Sequence, residues 1–126
     1  MQLNQVTIGV TDVLSAISFY QALGLRLIVH THDGYARFEM PGGEGATFSV
    51  HRVDAVTAGS TLVYFETEDL AGAVARATAA GATLVSGPQD EAWLWREARL
   101  TDPFGTPLCL YQAGKNRRFP PWRKAG

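Results

Sequence analysis

The chemistry-bearing residues of this chain fall two apart, the spacing at which strand side chains share a face. Glu97 and Arg99 are the sharpest case. A guanidinium beside a cavity clamps a carboxylate, phosphate or carbonyl with two parallel hydrogen bonds. A glutamate there acts as a general base if burial raises its pKa. The plainer alternative is an internal ion pair that neutralises both, with Arg37 or Glu66 as further partners. Trp93 and Trp95 repeat the spacing in EAWLWREARL and project from one strand face. They form a stacking wall for a planar ligand, or else plug a core or a subunit interface. Tyr64 and Tyr111 point inward by alternation and line a pocket.

The remaining candidates carry less. With a turn at Asp33-Gly34, His30 and His32 fall on the side of Tyr35 and Arg37, and His51 shares the face of Ser49. Three histidines leave a displaced metal site open, but their spacing matches no zinc pattern, and solvated strand histidines are the simpler reading. Cys109 lies between Leu108 and Leu110, with no base beside it, and reads as a small buried residue rather than a nucleophile. Met40-Pro41-Gly42-Gly43-Glu44-Gly45 is glycine-rich but lacks the Lys-Ser/Thr of a phosphate loop, so it is expected to be a hairpin loop.

Composition narrows the setting. The 126 residues suffice for one domain or two small modules. A single cysteine excludes an internal disulfide framework and a cysteine-based zinc site. The net charge of −1 divides into five positive charges in the last twelve residues and −6 over the first 114. An acidic body repels phosphates, so no nucleic-acid partner is expected despite the basic tail. Phe119, Pro120, Pro121 and Trp122 in that tail suit docking on a protein surface. No apolar run approaches the roughly 18 residues of a membrane span, and the N-terminus opens a strand rather than a signal peptide. A cytoplasmic protein without a membrane partner is expected.

The elements that position these residues occur twice. Gln5–Val10 alternates like a strand, Thr11-Asp12 starts a helix with Leu14 and Ile17 at helical spacing, Gly24 stops it, and a strand follows over 25–31. A shift of 57 residues finds the pattern again, with a strand over 62–67, a helix start at Glu68-Asp69, Val74 and Ala77 on one face, and a stop at Gly81. Two hairpins echo each other as well: Ala36-Arg37-Phe38 before Met40-Pro41-Gly42, and Ala98-Arg99-Leu100 before Asp102-Pro103-Phe104-Gly105. The expected fold is α+β, two β-α-β-β-β modules (3–54 and 61–113) with a breakpoint between Asp54 and Ser60. A basic tail follows over 114–126. Val6, Ile8 and Val10 should pack on the helix, leaving Gln5, Thr7 and Gly9 on a concave, pocket-forming face.

Arranged in this order, the motifs resemble the vicinal oxygen chelate superfamily of glyoxalases, bleomycin-resistance proteins and extradiol dioxygenases. The carrying residues are Gln5-Val6-Thr7-Ile8-Gly9-Val10-Thr11-Asp12, Ser18-Phe19-Tyr20, Leu23-Gly24-Leu25, Phe65-Glu66 through Asp69-Leu70, Gly81 and Asp102-Pro103-Phe104-Gly105. The resemblance implies a half-open barrel, a homodimer and, in its enzymes, four metal ligands. Those four positions here are Gln5, Ser49, Leu62 and Cys109, a poor donor set for a hard divalent cation. The resemblance also places Arg99 where fosfomycin-resistance proteins contact substrate. The expectation is therefore a metal-free, cofactor-free protein that sequesters a small, partly aromatic ligand. Trp95, Tyr64 and Tyr111 would supply walls, and Gln5, Arg37, His51, Glu97 and Arg99 polar recognition, with Thr7, Ser49, Leu62 and Cys109 also lining the site. The alternatives are a metal-dependent lyase or dioxygenase with an unusual ligand set, or a metal-free isomerase with Glu97 as its catalytic base. Residues 115–126 could instead serve chiefly to lock a dimer.

Overall fold

A computed structural model of the chain describes residues 2–42, 45–57, 59 and 61–125. Gly43 and Glu44 of the glycine-rich hairpin, and Ser60 at the breakpoint, lie outside the described residues. The elements run β1 (Gln5–Val10), α1 (Val13–Ala22), β2 (Arg26–Thr31), β3 (Tyr35–Glu39) and β4 (Thr47–Arg52). They repeat as β5 (Val63–Glu66), α2 (Leu70–Ala79), β6 (Thr83–Asp90), β7 (Arg96–Thr101) and β8 (Pro107–Gln112). A short 3-10 turn, Gly114–Arg117, follows. The chain divides into two compact units, Met1–Ala58 with Pro103–Gly105, and Gly59–Asp102 with Thr106–Gly126.

The two units share one design. Each holds an open four-stranded mixed sheet, ordered β1-β4-β3-β2 in the first and β5-β8-β7-β6 in the second. The edge strand pairs in parallel with the last strand of its module, and the other pairings are antiparallel. The helices start where a carboxylate satisfies an otherwise orphaned backbone N–H. Asp12 accepts from the Ser15 amide at 3.2 Å, and Asp69 from the Gly72 amide at 3.0 Å. They stop at Gly24 (φ 102°) and Gly81 (φ 112°), left-handed positions that favour glycine. From there the amides of Leu25 and Ala82 reach back to the carbonyls of Tyr20 and Ala77.

The first core is aromatic. Tyr20 and Phe19 of α1 are buried with Phe38 and Phe48 beneath them, and the Tyr20 and Phe48 rings lie 4.8 Å apart. Leu14 departs from expectation: it is 55 % exposed, and Val13, Ala16 and Ile17 form the buried face instead. Val6 is likewise exposed and Ile8 only half-buried. The reason is the strand order. β1 is an edge strand, and α1 packs chiefly on β2, β3 and β4, so only Val10 at the end of β1 is fully covered. The second core uses smaller residues. Leu70, Ala73, Val74 and Ala77 of α2 lie buried, and α2 packs on β6, β7 and β8. No helix among the described residues is long and apolar enough to cross a membrane.

Two further expectations are corrected here. Trp93 stands in the turn before β7, not on a strand, because Leu94 takes a left-handed conformation (φ 68°) and pairing starts only at Arg96. The β2–β3 turn takes in His32 (φ 48°), so His30 pairs with Ala36. His30 is thereby turned to the helix-side face and away from Arg37.

Candidate functional site

On each sheet the polar and charged candidates lie on the face turned away from its helix, and in the second sheet Tyr64 and Tyr111 join them there. The register places them. In the first module Arg37 lies opposite Ser49, Tyr35 opposite His51, and Thr7 opposite Ser49 on the other side. In the second, Arg99 lies opposite Cys109, Glu97 opposite Tyr111, and Tyr64 opposite Cys109. The two faces are therefore equivalent position by position: Arg37 with Arg99, Tyr35 with Glu97, Ser49 with Cys109, Thr7 with Tyr64 and His51 with Tyr111.

The first face is hydroxyl-rich. Ser49 is fully buried and hydrogen-bonded to Thr7, and the Thr47 hydroxyl donates to Gln5 Oε1 at 2.9 Å. Arg37 Nε donates to the Tyr35 phenol at 2.9 Å. The Ser49 hydroxyl does most to hold Tyr35 below the ordinary phenol range; partial burial opposes it, and Arg37 and Gln5 add to the lowering. His51 stays exposed at the end of this face. Tyr35 is a member that sequence reasoning left unassigned. The signal was there: Tyr35-Ala36-Arg37 and Glu97-Ala98-Arg99 are the same alternation at equivalent positions.

The second face is aromatic around an ion pair of which the acid is buried and the arginine partly exposed. Glu97 is 4 % exposed, and its Oε1 lies 3.2 Å from Arg99 Nη2. Its Oε2 accepts from the Trp93 indole at 3.4 Å, so Trp93 reaches the site from a turn. Burial acts against the Arg99 charge, but the Glu97 hydrogen bond and neighbouring groups outweigh it and raise its pKa. Arg99 also lies 5.8 Å from the Tyr64 ring centroid. Trp95 stacks on Tyr111 at 4.6 Å, and Tyr64 meets both edge-on at 6.1 and 5.7 Å. Tyr111 is buried and Tyr64 exposed. Burial, with the charge of Glu66, pushes the Tyr111 phenol up.

The segment after β8 returns to this face. Gly114 N donates to Glu66 Oε2 at 3.2 Å, Arg117 lies 3.5 Å from Glu66 Oε1, and the Trp95 indole donates to the Asn116 carbonyl at 3.3 Å. Glu66 thus pairs with Arg117, not with Arg99. Neither Glu66 nor Asn116 stood out in the sequence as a neighbour of Trp95, because the contact depends on how the chain turns after β8.

The four positions aligned with metal ligands do not fit a hard divalent cation. Gln5 and Ser49 hold hydrogen bonds to Thr47 and Thr7, and Leu62, half-buried just before β5, has no donor atom. Cys109 is fully buried, and burial together with the Glu97 charge pushes its thiol up to about 12, so the thiolate that binds metal is disfavoured. No cluster of three or more His, Cys, Asp or Glu suited to a metal occurs among the described residues. Glu97 is 4 % exposed, with one oxygen paired to Arg99 and the other accepting from Trp93.

Comparisons with known proteins agree with this geometry. Residues 2–110 match the sequence profile of the Glyoxalase/Bleomycin resistance protein/Dioxygenase superfamily. The fold is similar to that of a glyoxalase/bleomycin resistance protein/dioxygenase family enzyme from Burkholderia phytofirmans PsJN, with a TM-score of 0.77 and 21 % identity, covering 90 % of this chain and 99 % of that one. A glyoxalase-related enzyme from Fulvimarina pelagi gives 0.76 and 19 %, covering 89 % and 88 %. A bleomycin resistance determinant encoded on the transposon Tn5 gives 0.69 and 20 %, covering 89 % and 98 %. A search of curated proteins finds no match. The paired β-α-β-β-β modules and the profile match together establish that the chain belongs to the glyoxalase/bleomycin resistance/dioxygenase superfamily, the vicinal oxygen chelate fold.

Proposed function

We propose that this protein binds a small, partly aromatic organic molecule on the face of the second sheet turned away from α2, without a metal ion and without making or breaking bonds. The observation that carries this is the Trp95–Tyr111–Tyr64 cluster beside the Glu97–Arg99 pair. Three aromatic rings in mutual contact offer a stacking surface that an ordinary solvated sheet face lacks. The polar residues alongside supply orientation. The donor set at Gln5, Ser49, Leu62 and Cys109 supports a metal-free mode, and the engaged carboxylate of Glu97 supports binding over proton abstraction.

The purified protein, assayed for bound metal before and after exposure to Zn²⁺, Mn²⁺ and Mg²⁺, should retain none stoichiometrically. It should still bind an aromatic probe such as benzamide, seen as shifts of the Trp95 and Tyr64 resonances. Retained stoichiometric metal, or no aromatic binding, overturns the reading. The homodimer expected from the resemblance belongs to the same proposal, with the tail residues Phe119 and Trp122, both 56 % exposed, as its contact candidates.

A further inference from the structure

Glu66 stands beside the aromatic cluster of the second sheet and is held by the chain's own tail. In register it lies opposite Tyr111 on one side, as Glu97 does on the other, so both acids share the face of Tyr64 and Tyr111. Burial first, and then the Glu66 charge, push the Tyr111 phenol up. Aromatic rings next to a carboxylate attract an organic cation, through the negative ring faces and the counter-charge together. Here the chain supplies both cations itself. Arg99 Nη2 lies 3.2 Å from Glu97 Oε1, and its guanidinium carbon is 5.8 Å from the Tyr64 ring centroid. Arg117 Nε lies 3.5 Å from Glu66 Oε1, and the Gly114 amide donates to Glu66 Oε2 at 3.2 Å. The two arginines are carried differently. Arg99 belongs to β7, which is paired on both sides, by β6 and β8. Arg117 ends a four-residue 3-10 turn after the last strand, with its side chain 49 % exposed.

We propose that Arg117 is a specificity-determining residue: by occupying Glu66 it makes the aromatic face favour an uncharged ring over an organic cation. The proposal rests on the ligand-binding reading above and deepens it by naming the charge class of the ligand. An uncharged aromatic molecule needs only a ring face and leaves the Glu66–Arg117 pair closed. A cation of the same shape meets two carboxylates already compensated. It must either approach the guanidinium groups or take the place of Arg117 on Glu66. Taking that place also loosens the strap, because Glu66 anchors both Gly114 and Arg117. Between them, the Asn116 carbonyl holds the Trp95 indole at 3.3 Å. The ring that stacks on Tyr111 is thus tied to the pair that a cation has to break. Both side chains of the pair are partly exposed, so the discrimination is of the size that one surface ion pair provides.

The test compares benzamide, which is neutral, with benzamidine, a cation of the same shape at neutral pH, using the full chain in calorimetry and chemical-shift titration. The wild type should bind benzamide about fivefold more tightly than benzamidine. Arg117→Gln leaves the Glu66 carboxylate open and should abolish that preference or reverse it in favour of the cation. Arg117→Lys keeps a positive charge beside Glu66 and should retain most of the preference. Glu66→Gln added to Arg117→Gln removes the counter-charge and should take back the cation's gain. Lys124→Gln, an exposed position further along the tail, makes the same change in net charge and should leave the wild-type ratio in place. Equal binding of the two probes by the wild type, or a preference for benzamidine, overturns the proposal and leaves the aromatic-binding reading standing. A ratio unmoved by Arg117→Gln, or moved as far by Lys124→Gln, overturns it too. Failure of both probes to bind overturns both readings.

Discussion

The indole of Trp95 lies nearly parallel on the phenol ring of Tyr111, with centroids 4.6 Å apart and planes at 19°. Trp95 comes from the segment leading into β7 and Tyr111 from β8. The stack therefore joins neighbouring segments on the side of the second sheet turned away from α2. A stack of this kind contributes about 0.5–1.5 kcal/mol beyond burial. A double-mutant cycle on Trp95→Ala and Tyr111→Leu, read by urea unfolding, should return a coupling energy in that range. Additive effects would show that the two rings act independently.

Trp95 is also held from its other side by the Asn116 carbonyl, and Glu66 fixes the segment that carries it. Truncation after Ala113 should release the indole. With Trp93 and Trp122 replaced by Phe in the reference protein, Trp95 is the sole tryptophan and can be excited selectively. Its emission should shift to the red and its quenching by acrylamide should rise in the truncated form. Unchanged emission would show that the tail does not hold Trp95. Sedimentation of the same truncated protein tests the dimer contact, with a lower association constant expected.

The Glu97–Arg99 pair predicts an asymmetric mutational response. Arg99 is 39 % exposed at its side chain, so solvent screens part of the interaction. Arg99→Ala leaves a buried carboxylate without its cationic partner, and should destabilise by about 1–3 kcal/mol. Arg99→Lys keeps the charge and should cost less. Chemical denaturation measures both. Equal losses would indicate that packing of the arginine stem, not charge compensation, is what matters.

Cys109 predicts behaviour at alkaline pH. Its thiol is pushed up to about 12 from an ordinary 9.0, first by burial and then by the Glu97 charge. A raised acid pKa means that the folded state keeps a proton the unfolded state has released. Stability is therefore full below about pH 9 and falls as pH rises towards 12. Cys109→Ala should flatten the stability curve in that window. The native thiol should resist a disulfide reagent at pH 8 and react at once after unfolding.

Asp12 predicts the opposite limb. The Ser15 backbone and side chain hold its carboxyl below the ordinary value. A lowered pKa stabilises the fold above the unfolded value and loses that contribution as pH falls through the folded one. Asp12→Asn retains a capping oxygen without the charge, so its stability should vary less than that of the wild type between pH 5 and pH 2, as measured by thermal melts.

Much of this was legible in the chain itself. Asp12 and Asp69 as helix starts, Gly24 and Gly81 as stops, and the repeated hairpins specify two β-α-β-β-β modules, because capping and left-handed glycine are local events that neighbouring residues decide. Alternation alone put Glu97 with Arg99, Arg37 with Tyr35, and His51 with Ser49. What lay beyond it was whatever depends on strand order and on turns. The edge position of β1 left Val6 uncovered, and a left-handed His32 rotated His30 off the Arg37 face. Leu94 lifted Trp93 out of its strand, yet left it within reach of Glu97. Which acid neutralises which arginine was also a tertiary decision. Spacing admits several partners for Glu97, whereas the packed sheet gives it to Arg99, gives Glu66 to Arg117, and sets Arg37 against the Tyr35 phenol.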